Sequence, residues 1–325
     1  MKKFLIASTA IVALSGAAAA EVTLSGDAQF GLKYDNRMTE YYSDGTPTGG
    51  TTGDISVSSR ARVTITMTGE TDSGLSFGAK LRTGSSKYTE SRDTFSSNTT
   101  VWAEGAYGKL TVGDVDSAIE QAIGDLPEVG FTGLEFQNEL FYAATDAFED
   151  HDNKGVVYTY QYGDATFYAS FEDRNIGYDA GKIVGNSWSV GASYDVQQYS
   201  FGIGYSSGED IGAGKVKSWG LMASGDFNGL TAKLAFIESK DDIDKVRQYG
   251  VGAEYTLANG VGLQGFYRLD DYKNIGDDTT LALGASYDLG GGATLKGGIA
   301  YNKWKPEVGG SWSQTLADVG LQFRF

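Results

Sequence analysis

Apolar and polar residues alternate along most of this chain, in windows of about ten residues. The stretch "EVTLSGDAQFGLKY" places Val22, Leu24 and Phe30 on one face and Asp27 and Lys33 on the other. A period of two is the pattern of a β-strand that has one apolar face. The pattern recurs in sixteen windows, the last being "TLADVGLQFRF", and turn-forming residues separate them. The sequence therefore predicts an all-β chain with 16 strands.

The connections between these windows alternate in length. Short ones such as "YGK", "DFNG" and "LGGG" are followed by longer ones, of which we expect residues 35–54 and 173–185 to be examples. An even number of strands, with short turns at one end and long loops at the other, is typical of a bacterial outer-membrane barrel. We therefore predict a transmembrane antiparallel β-barrel.

Aromatic residues near the ends of the windows support a membrane location. In such barrels Tyr and Trp gather in two girdles, where one part of the ring is hydrated and the other contacts lipid. The candidates on the apolar faces are Trp188, Tyr194, Tyr199, Tyr205, Trp219, Phe227, Tyr255, Tyr287 and Tyr301.

The first twenty residues predict a cleaved signal peptide. Lys2 and Lys3 precede the apolar run "FLIASTAIVAL", and a small-residue site, "AAA", lies before Glu21. Residues 21–325 then form one domain, and loss of the two lysines changes the formal charge from −16 to −18. A chain this acidic is a poor partner for nucleic acid.

Composition also limits the chemistry. The chain contains no cysteine and one histidine, His151, so disulfides, thiolate sites and multi-histidine metal sites are excluded. We expect no enzyme activity and no required cofactor. The enzymatic alternative is an outer-membrane hydrolase, in which His151 would act as general base beside a serine.

One connection is much longer than a hairpin needs, and it is strongly acidic. It covers about residues 116–153, contains apolar residues that need a packing partner, and includes "SAIEQAIG", which predicts one or two helical turns. Long loops with packing residues of their own tend to be functional. The candidate acidic residues in and just before it are Asp114, Asp116, Glu120, Asp125, Glu128, Glu135 and Glu139.

The second and third strands each carry two cations on the polar face. These are Arg60 and Arg62 on one strand and Lys80 and Arg82 on the next. In a closed barrel the polar face lines the lumen, so the four cations form a basic wall. If the acidic loop folds into the lumen, its carboxylates face this wall across a narrow passage. Facing rows of fixed charge are how pores select solutes.

A second acidic cluster raises calcium as a candidate ligand. The stretch "DAFEDHDN" supplies Asp146, Glu149, Asp150 and Asp152. Calcium takes six to eight oxygen ligands, and the spacing of these residues does not match an EF-hand. Solvated surface acids are the simpler interpretation. Bridging of divalent ions to anionic lipid at the cell surface is the other one.

Several motifs resemble a known family. "SSRARVTI", "FGAKLR", "LTVGDVDSAIE" and the terminal "DVGLQFRF" are similar to the sixteen-stranded trimeric general diffusion porins of alphaproteobacterial outer membranes. The resemblance implies an inward-folded third loop at the constriction, with Arg60, Arg62, Lys80 and Arg82 as its basic wall. Asp116 is the best matched acidic position, and the loop diverges beyond "VGDVDSAIE".

The resemblance also implies partners. It predicts a homotrimer, calcium binding, contact with outer-membrane lipid and lipopolysaccharide, and a terminal Phe325 that is recognised by the barrel-assembly machinery. The function implied is passive diffusion of small hydrophilic solutes and ions. Two further alternatives remain at this stage: a substrate-specific channel, and a secreted β-rich binding protein that is soluble after export.

Overall fold

The computed structural model describes residues 21–41, 47–86, 99–145, 154–173, 186–210 and 214–325. Within these ranges sixteen antiparallel strands form one closed barrel, in which each strand pairs with its sequence neighbours and β1 pairs with β16. This confirms the predicted fold class and strand number. The predicted signal peptide, residues 1–20, lies outside the described residues.

The barrel strands and one short helix account for the regular structure of the described residues. The strands are β1 (Glu21–Tyr41), β2 (Pro47–Glu70), β3 (Ser76–Ser86), β4 (Thr99–Gly105), β5 (Gly108–Gly113), β6 (Lys154–Tyr162), β7 (Ala165–Asp173), β8 (Ser187–Val196), β9 (Tyr199–Asp210), β10 (Gly214–Phe227), β11 (Leu230–Lys240), β12 (Lys245–Thr256), β13 (Val261–Tyr272), β14 (Gly276–Gly290), β15 (Ala293–Pro306) and β16 (Trp312–Arg324). The helix, α1, covers Ala118–Ile123 and confirms the predicted helical turns. In the part of the chain that is described, no helix has the length and apolar character needed to cross a bilayer.

The alternating pattern determines which side of each strand faces outward. Val22, Leu24, Phe30 and Leu32 on β1 are exposed on the outer surface, as are Val319 and Phe325 at the end of the chain. The last residue is held in the sheet, because Phe325 and Gly26 exchange backbone hydrogen bonds of 2.9 and 3.2 Å. The final strand therefore closes the barrel against the first, and no edge of the described sheet is left unpaired.

The two ends of the barrel differ in their connections. At one end the strands are joined by tight turns, such as residues 106–107 and 228–229. The first residue of β1 and the last residue of β16 lie at this same end. At the other end the expectation of a loop over residues 35–54 was wrong. The backbone continues in β1 to Tyr41 and resumes in β2 at Pro47, with register shifts between them. Pro47 is tolerated because it is the first residue of its strand.

The aromatic girdles follow the predicted positions. Trp188, Trp219, Tyr255 and Tyr301 are exposed on the outer face near strand ends. The ring of Trp188 lies 5.5 Å from that of Tyr205, and Tyr199 and Phe227 meet edge to face at 5.9 Å. Such pairs place aromatic rings at the boundary between lipid and water.

The hydrophobic core lies inside the barrel. The loop that follows β5 packs against the inner surface, and the buried residues of this loop include Ile119, Ile123, Leu126, Val129 and Phe131. The lumen wall beneath the loop therefore carries small and apolar residues as well as polar ones. The expectation of a wholly polar inner face was incomplete, because small and apolar residues such as Gly204, Ala282 and Phe266 also face inward.

Candidate functional site

The loop enters the lumen through helix α1. Ser117 caps the helix by accepting a hydrogen bond from the N–H of Glu120 at 3.4 Å, and Ala118 and Ile119 are fully buried. The N–H groups of these two residues donate to Ser170 Oγ at 3.0 Å and Ser189 Oγ at 3.3 Å. The first N–H groups of a helix have no partner within the helix, so the serines of β7 and β8 supply the missing acceptors.

Glycines on the inner wall make room for the loop. A Cβ added at Gly204 would lie 2.6 Å from Ile119 Cγ1, and one at Gly320 would lie 2.9 Å from the Phe131 ring. The same crowding occurs where Leu126 meets Gly250 on β12 and where Val129 meets Gly284 and Gly298 on β14 and β15. The loop therefore runs around the wall from β7 through β16 to β1, in direct contact with the backbone.

Two cations on other strands of the inner surface, outside the basic wall, bind carbonyl groups of the loop. Lys233 on β11 donates to the carbonyl oxygens of Ile123 and Asp125, both at 2.6 Å. Arg268 on β13 donates to the carbonyl oxygens of Gln137 and Glu139 at 2.9 and 2.6 Å. The Ile123 carbonyl lies at the C-terminal end of α1, where carbonyls lack intrahelical partners and a nearby cation is favourable.

Asp318 on β16 provides a third anchor, of opposite sign. Its carboxylate accepts hydrogen bonds from Phe131 N at 3.2 and 3.1 Å, from Thr132 N at 2.9 Å and from Thr132 Oγ1 at 2.6 Å. Hydrogen bonds to a charged acceptor contribute about 1.5–3 kcal/mol each. The loop is thus fixed at its start, middle and far side by separate strands.

The far side of the loop has an unusual backbone. Leu134, Glu135 and Phe136 have φ angles of 49°, 61° and 62°, in the left-handed region. Such residues cost about 1–2 kcal/mol each when they carry a Cβ. Leu134 is buried and Glu135 forms a 2.8 Å ion pair with Lys33 on β1, which offsets part of this cost. The turn leaves Phe136 63 % exposed.

The predicted basic wall is assembled on β2 and β3. Arg60 and Arg62 are partly exposed, and Asp27 on β1 lies between them, with contacts of 3.3 Å to Arg60 Nη2 and 2.8 Å to Arg62 Nε. Gln29 accepts a further bond from Arg60 at 3.0 Å. Asp27 was not among the predicted site residues. The only available signal was its place on the polar face of β1, opposite Arg62 in the register.

Lys80 and Arg82 extend the wall to β3. They lie opposite Thr66 and Thr64 of β2 in the strand register, which puts them on the same face as Arg62. Lys80 is exposed and Arg82 half-buried. The four cations thus occupy two adjacent strands, while the contacts of the loop described above lie on β7 to β16 and β1.

Three of the predicted loop acids interact with cations on the strands that carry the loop. Glu135 pairs with Lys33, and Glu128 lies 3.5 Å from Lys296 on β15. Asp125 is half-buried. Burial raises the pKa of its carboxyl, and the hydrogen bond from Leu140 N at 2.9 Å and the charge of Lys233 offset part of this rise.

The other predicted acids occupy the start and the end of the loop. Asp114 and Asp116 are exposed next to β5, Glu120 is half-buried on α1, and Glu139 is exposed near Arg268. The calcium candidates Asp146, Glu149, Asp150 and Asp152 lie outside the described residues, as does His151. Within the described ranges no three carboxylates or histidines come together as a metal site.

The anchors Lys233, Arg268 and Asp318 were missed by the sequence analysis. Each is separated from its partners in the loop by more than a hundred residues, so no local motif marks it. The one signal that the sequence offers is the alternation, which puts each of the three on the inward-facing side of its strand.

Known proteins resemble this chain over nearly all of its length. The family model for Gram-negative porins matches residues 7–305. A porin of Rhodobacter capsulatus is 32 % identical over 330 residues, which covers 94 % of this chain and all of the relative. A porin of Fuscovulum blasticum is 25 % identical over 325 residues, with the same coverage.

Solved structures agree with these relatives. One porin structure matches with a TM-score of 0.74 and 29 % identity, and it covers 94 % of this chain and 100 % of its own. An anion-selective porin from Comamonas acidovorans, with the same coverage, matches with a TM-score of 0.70 and 20 % identity, which shows a shared fold. The relatives indicate a channel rather than an enzyme. This chain therefore belongs to the Gram-negative porin family, and it forms a multi-pass β-barrel of the outer membrane through which small solutes diffuse passively.

Proposed function

We propose that solutes cross this barrel through a constriction with a transverse electric field. The basic side consists of Arg60, Arg62, Lys80 and Arg82. The acidic side consists of the loop carboxylates Asp114, Asp116, Glu120, Asp125, Glu128, Glu135 and Glu139. The observation that carries this proposal is the position of the loop, which is packed on one part of the inner wall while the four cations stand on another.

The pairing of the carboxylates refines the proposal. Asp125, Glu128 and Glu135 are partly compensated by Lys233, Lys296 and Lys33. Asp116 is exposed and has no ion pair within the described ranges, and it follows β5, which β4 separates from the basic wall. Asp116 is therefore the acid that contributes most to the field. Such a field favours small, dipolar, hydrated solutes and disfavours apolar ones.

The test is a measurement of ion selectivity. We expect the double variant R60Q/R82Q to shift the reversal potential in a potassium chloride gradient towards cation selectivity. The matched control is K303Q/K305Q, which removes the same amount of charge from β15. Both lysines are exposed and, like Tyr301, face outward from the barrel. An equal shift in both variants, or no shift in either, would mean that the basic wall does not set the field.

A substrate-specific channel is the second candidate function. The exposed Phe136 beside the Lys33–Glu135 ion pair favours it, because an apolar side chain in an aqueous passage offers a selective contact. Liposome swelling with neutral sugars of increasing size separates the two. Rates that depend on size alone support general diffusion, and one sugar that saturates the channel supports a binding site.

We further propose that the barrels assemble as trimers, in contact with lipopolysaccharide, and that calcium binds in the acidic loops. Phe325 is proposed as the signal read by the barrel-assembly machinery. Its backbone is tied to Gly26 while its ring is 80 % exposed, so the ring is available for recognition. Removal of Phe325 is expected to lower the amount of barrel inserted in cells. Unchanged insertion would argue against this role.

A further inference from the structure

Four lysines stand in one row at the loop end of the barrel. Lys217 on β10 lies opposite Lys240 on β11, and Lys240 lies opposite Lys245 on β12. Lys273, directly after β13, donates its backbone N–H to the carbonyl of Lys245 at 2.9 Å. Lys217, Lys240 and Lys273 are exposed and Lys245 is half-buried. We call these four residues the lysine row.

The lysine row faces outward, towards the membrane. On β10 the inner positions Ser218 and Gly220 are buried, the latter against Ile123 of the loop, so Lys217 and Trp219 point away from the lumen. Strands lie about 4.8 Å apart, so a row that crosses four of them spans about 14 Å.

The positive charge of the row is only partly compensated. Among the described residues, Lys245 has an ion pair with Glu238 at 2.6 Å, and Glu238 also accepts from Arg247 at 2.9 Å. In the hairpin above, Asp241 accepts from the N–H groups of Ile243 and Asp244, and Asp242 contacts the N–H of Lys215.

The rest of the row is left without such partners. Lys217, Lys240 and Lys273 have no ion pair within the described ranges. Like charges directly opposite on neighbouring strands are destabilising. An external anion would relieve this repulsion.

Below the row the outer surface becomes aromatic and then apolar. The rings of Trp219, Phe236 and Tyr249 follow one another at 5.1 and 5.2 Å. Beneath them is a concavity of about 620 Å³ on β7 to β11, lined by residues that include Phe167, Ala192, Phe201, Ile203, Leu221 and Ala223. Leu221 is four residues from Lys217 on the same strand, or about 13 Å along it.

We propose that the lysine row and this concavity form one binding site for an acylated, phosphate-bearing lipid of the outer leaflet. The phosphate contacts the lysines, the polar linker lies at the level of Trp219, and an acyl chain fills the concavity. Basic side chains near a membrane surface attract anionic headgroups. This inference deepens the proposed contact with lipopolysaccharide and rests on it.

The test is native mass spectrometry of the detergent-purified protein with dioleoyl phosphatidic acid, compared with dioleoyl phosphatidylcholine. The protein is expected to retain the phosphatidic acid at least about tenfold better. The variant K217Q/K240Q should abolish this preference, while K303Q/K305Q should keep it. A223F should reduce retention of both lipids by filling the concavity, whereas A285F, an exposed alanine on β14, should not.

Three results would overturn the proposal. One is equal retention of phosphatidic acid by the wild type and K217Q/K240Q. Another is undiminished retention of lipid by A223F, which would mean that the acyl chain does not occupy the concavity. The third is displacement of the lipid by an equal concentration of inorganic phosphate, which would make the row a simple anion site. Bilayer conductance of the same variants should match the wild type. Loss of lipid retention therefore tests only the lipid site, and loss of conductance tests only the channel proposals.

Discussion

Asp27 shows how one residue controls the charge of the basic wall. Arg60 and Arg62 stand two positions apart on β2, and both guanidinium groups remain charged at any physiological pH. The carboxylate of Asp27 contacts both of them and lowers their mutual repulsion. The sequence alone predicted the two arginines from their alternation, but it did not show which neighbour would pair with them, because that depends on the register of β1 against β2.

The first prediction concerns this carboxylate. The variant D27N leaves the arginines uncompensated and adds one positive charge to the lumen, so the ratio of chloride to potassium permeability should rise by about twofold or more, as expected for a partly exposed charge. The measurement is the reversal potential in a salt gradient. The control is D72N, an exposed residue in the turn between β2 and β3. A shift of equal size in both variants would contradict a local effect.

At the scale of elements, the loop and the inner wall depend on one another. The loop supplies most of the buried apolar residues, and the wall supplies the glycines, serines and charged anchors that receive them. The sequence predicted that a long loop with apolar residues needs a packing partner. It could not predict the docking path, because Asp318 and Phe131 are 187 residues apart and no alternation connects them.

The anchor at Asp318 leads to the second prediction. The variant D318N keeps one acceptor oxygen but loses the charge and the second oxygen that serve Phe131 N, Thr132 N and Thr132 Oγ1. A hydrogen bond to a charged acceptor contributes about 1.5–3 kcal/mol, so the loop should be held less firmly. Hydrogen exchange at Phe131 and Thr132 should accelerate by about tenfold or more, and single-channel current should become noisier. D288N, an exposed residue near the end of β14, should change neither. Unaltered exchange in D318N would show that the loop is held by other contacts.

The glycine contacts give the third prediction. A side chain at Gly204 would collide with Ile119, so G204V should push α1 away from the wall and narrow the passage. Single-channel conductance should fall, while barrel content by circular dichroism stays the same. G310V is the control, because a Cβ at Gly310 meets no atom within 4 Å. A conductance equal to that of the wild type would mean that α1 does not border the passage.

At the scale of the whole molecule, closure of the barrel was predictable and the distribution of its inner charges was not. Sixteen alternating windows, with short and long connections in turn, predict a closed sheet, and the pairing of β1 with β16 confirms it. The formal charge of −16 is a sum over the whole chain and does not show which charges line the passage. Inside the barrel, Lys33, Lys233, Arg268 and Lys296 contact the loop, and that arrangement appears only in three dimensions.

The most direct test of the central claim is the conductance of the purified protein, without its first twenty residues, in a planar lipid bilayer at neutral pH. An open barrel narrowed by the inward-folded loop should give discrete upward current steps that are ohmic at moderate voltage, and G204V should give smaller steps. Silence from protein that is fully inserted would contradict the account, because it would mean that the loop closes the lumen rather than narrowing it.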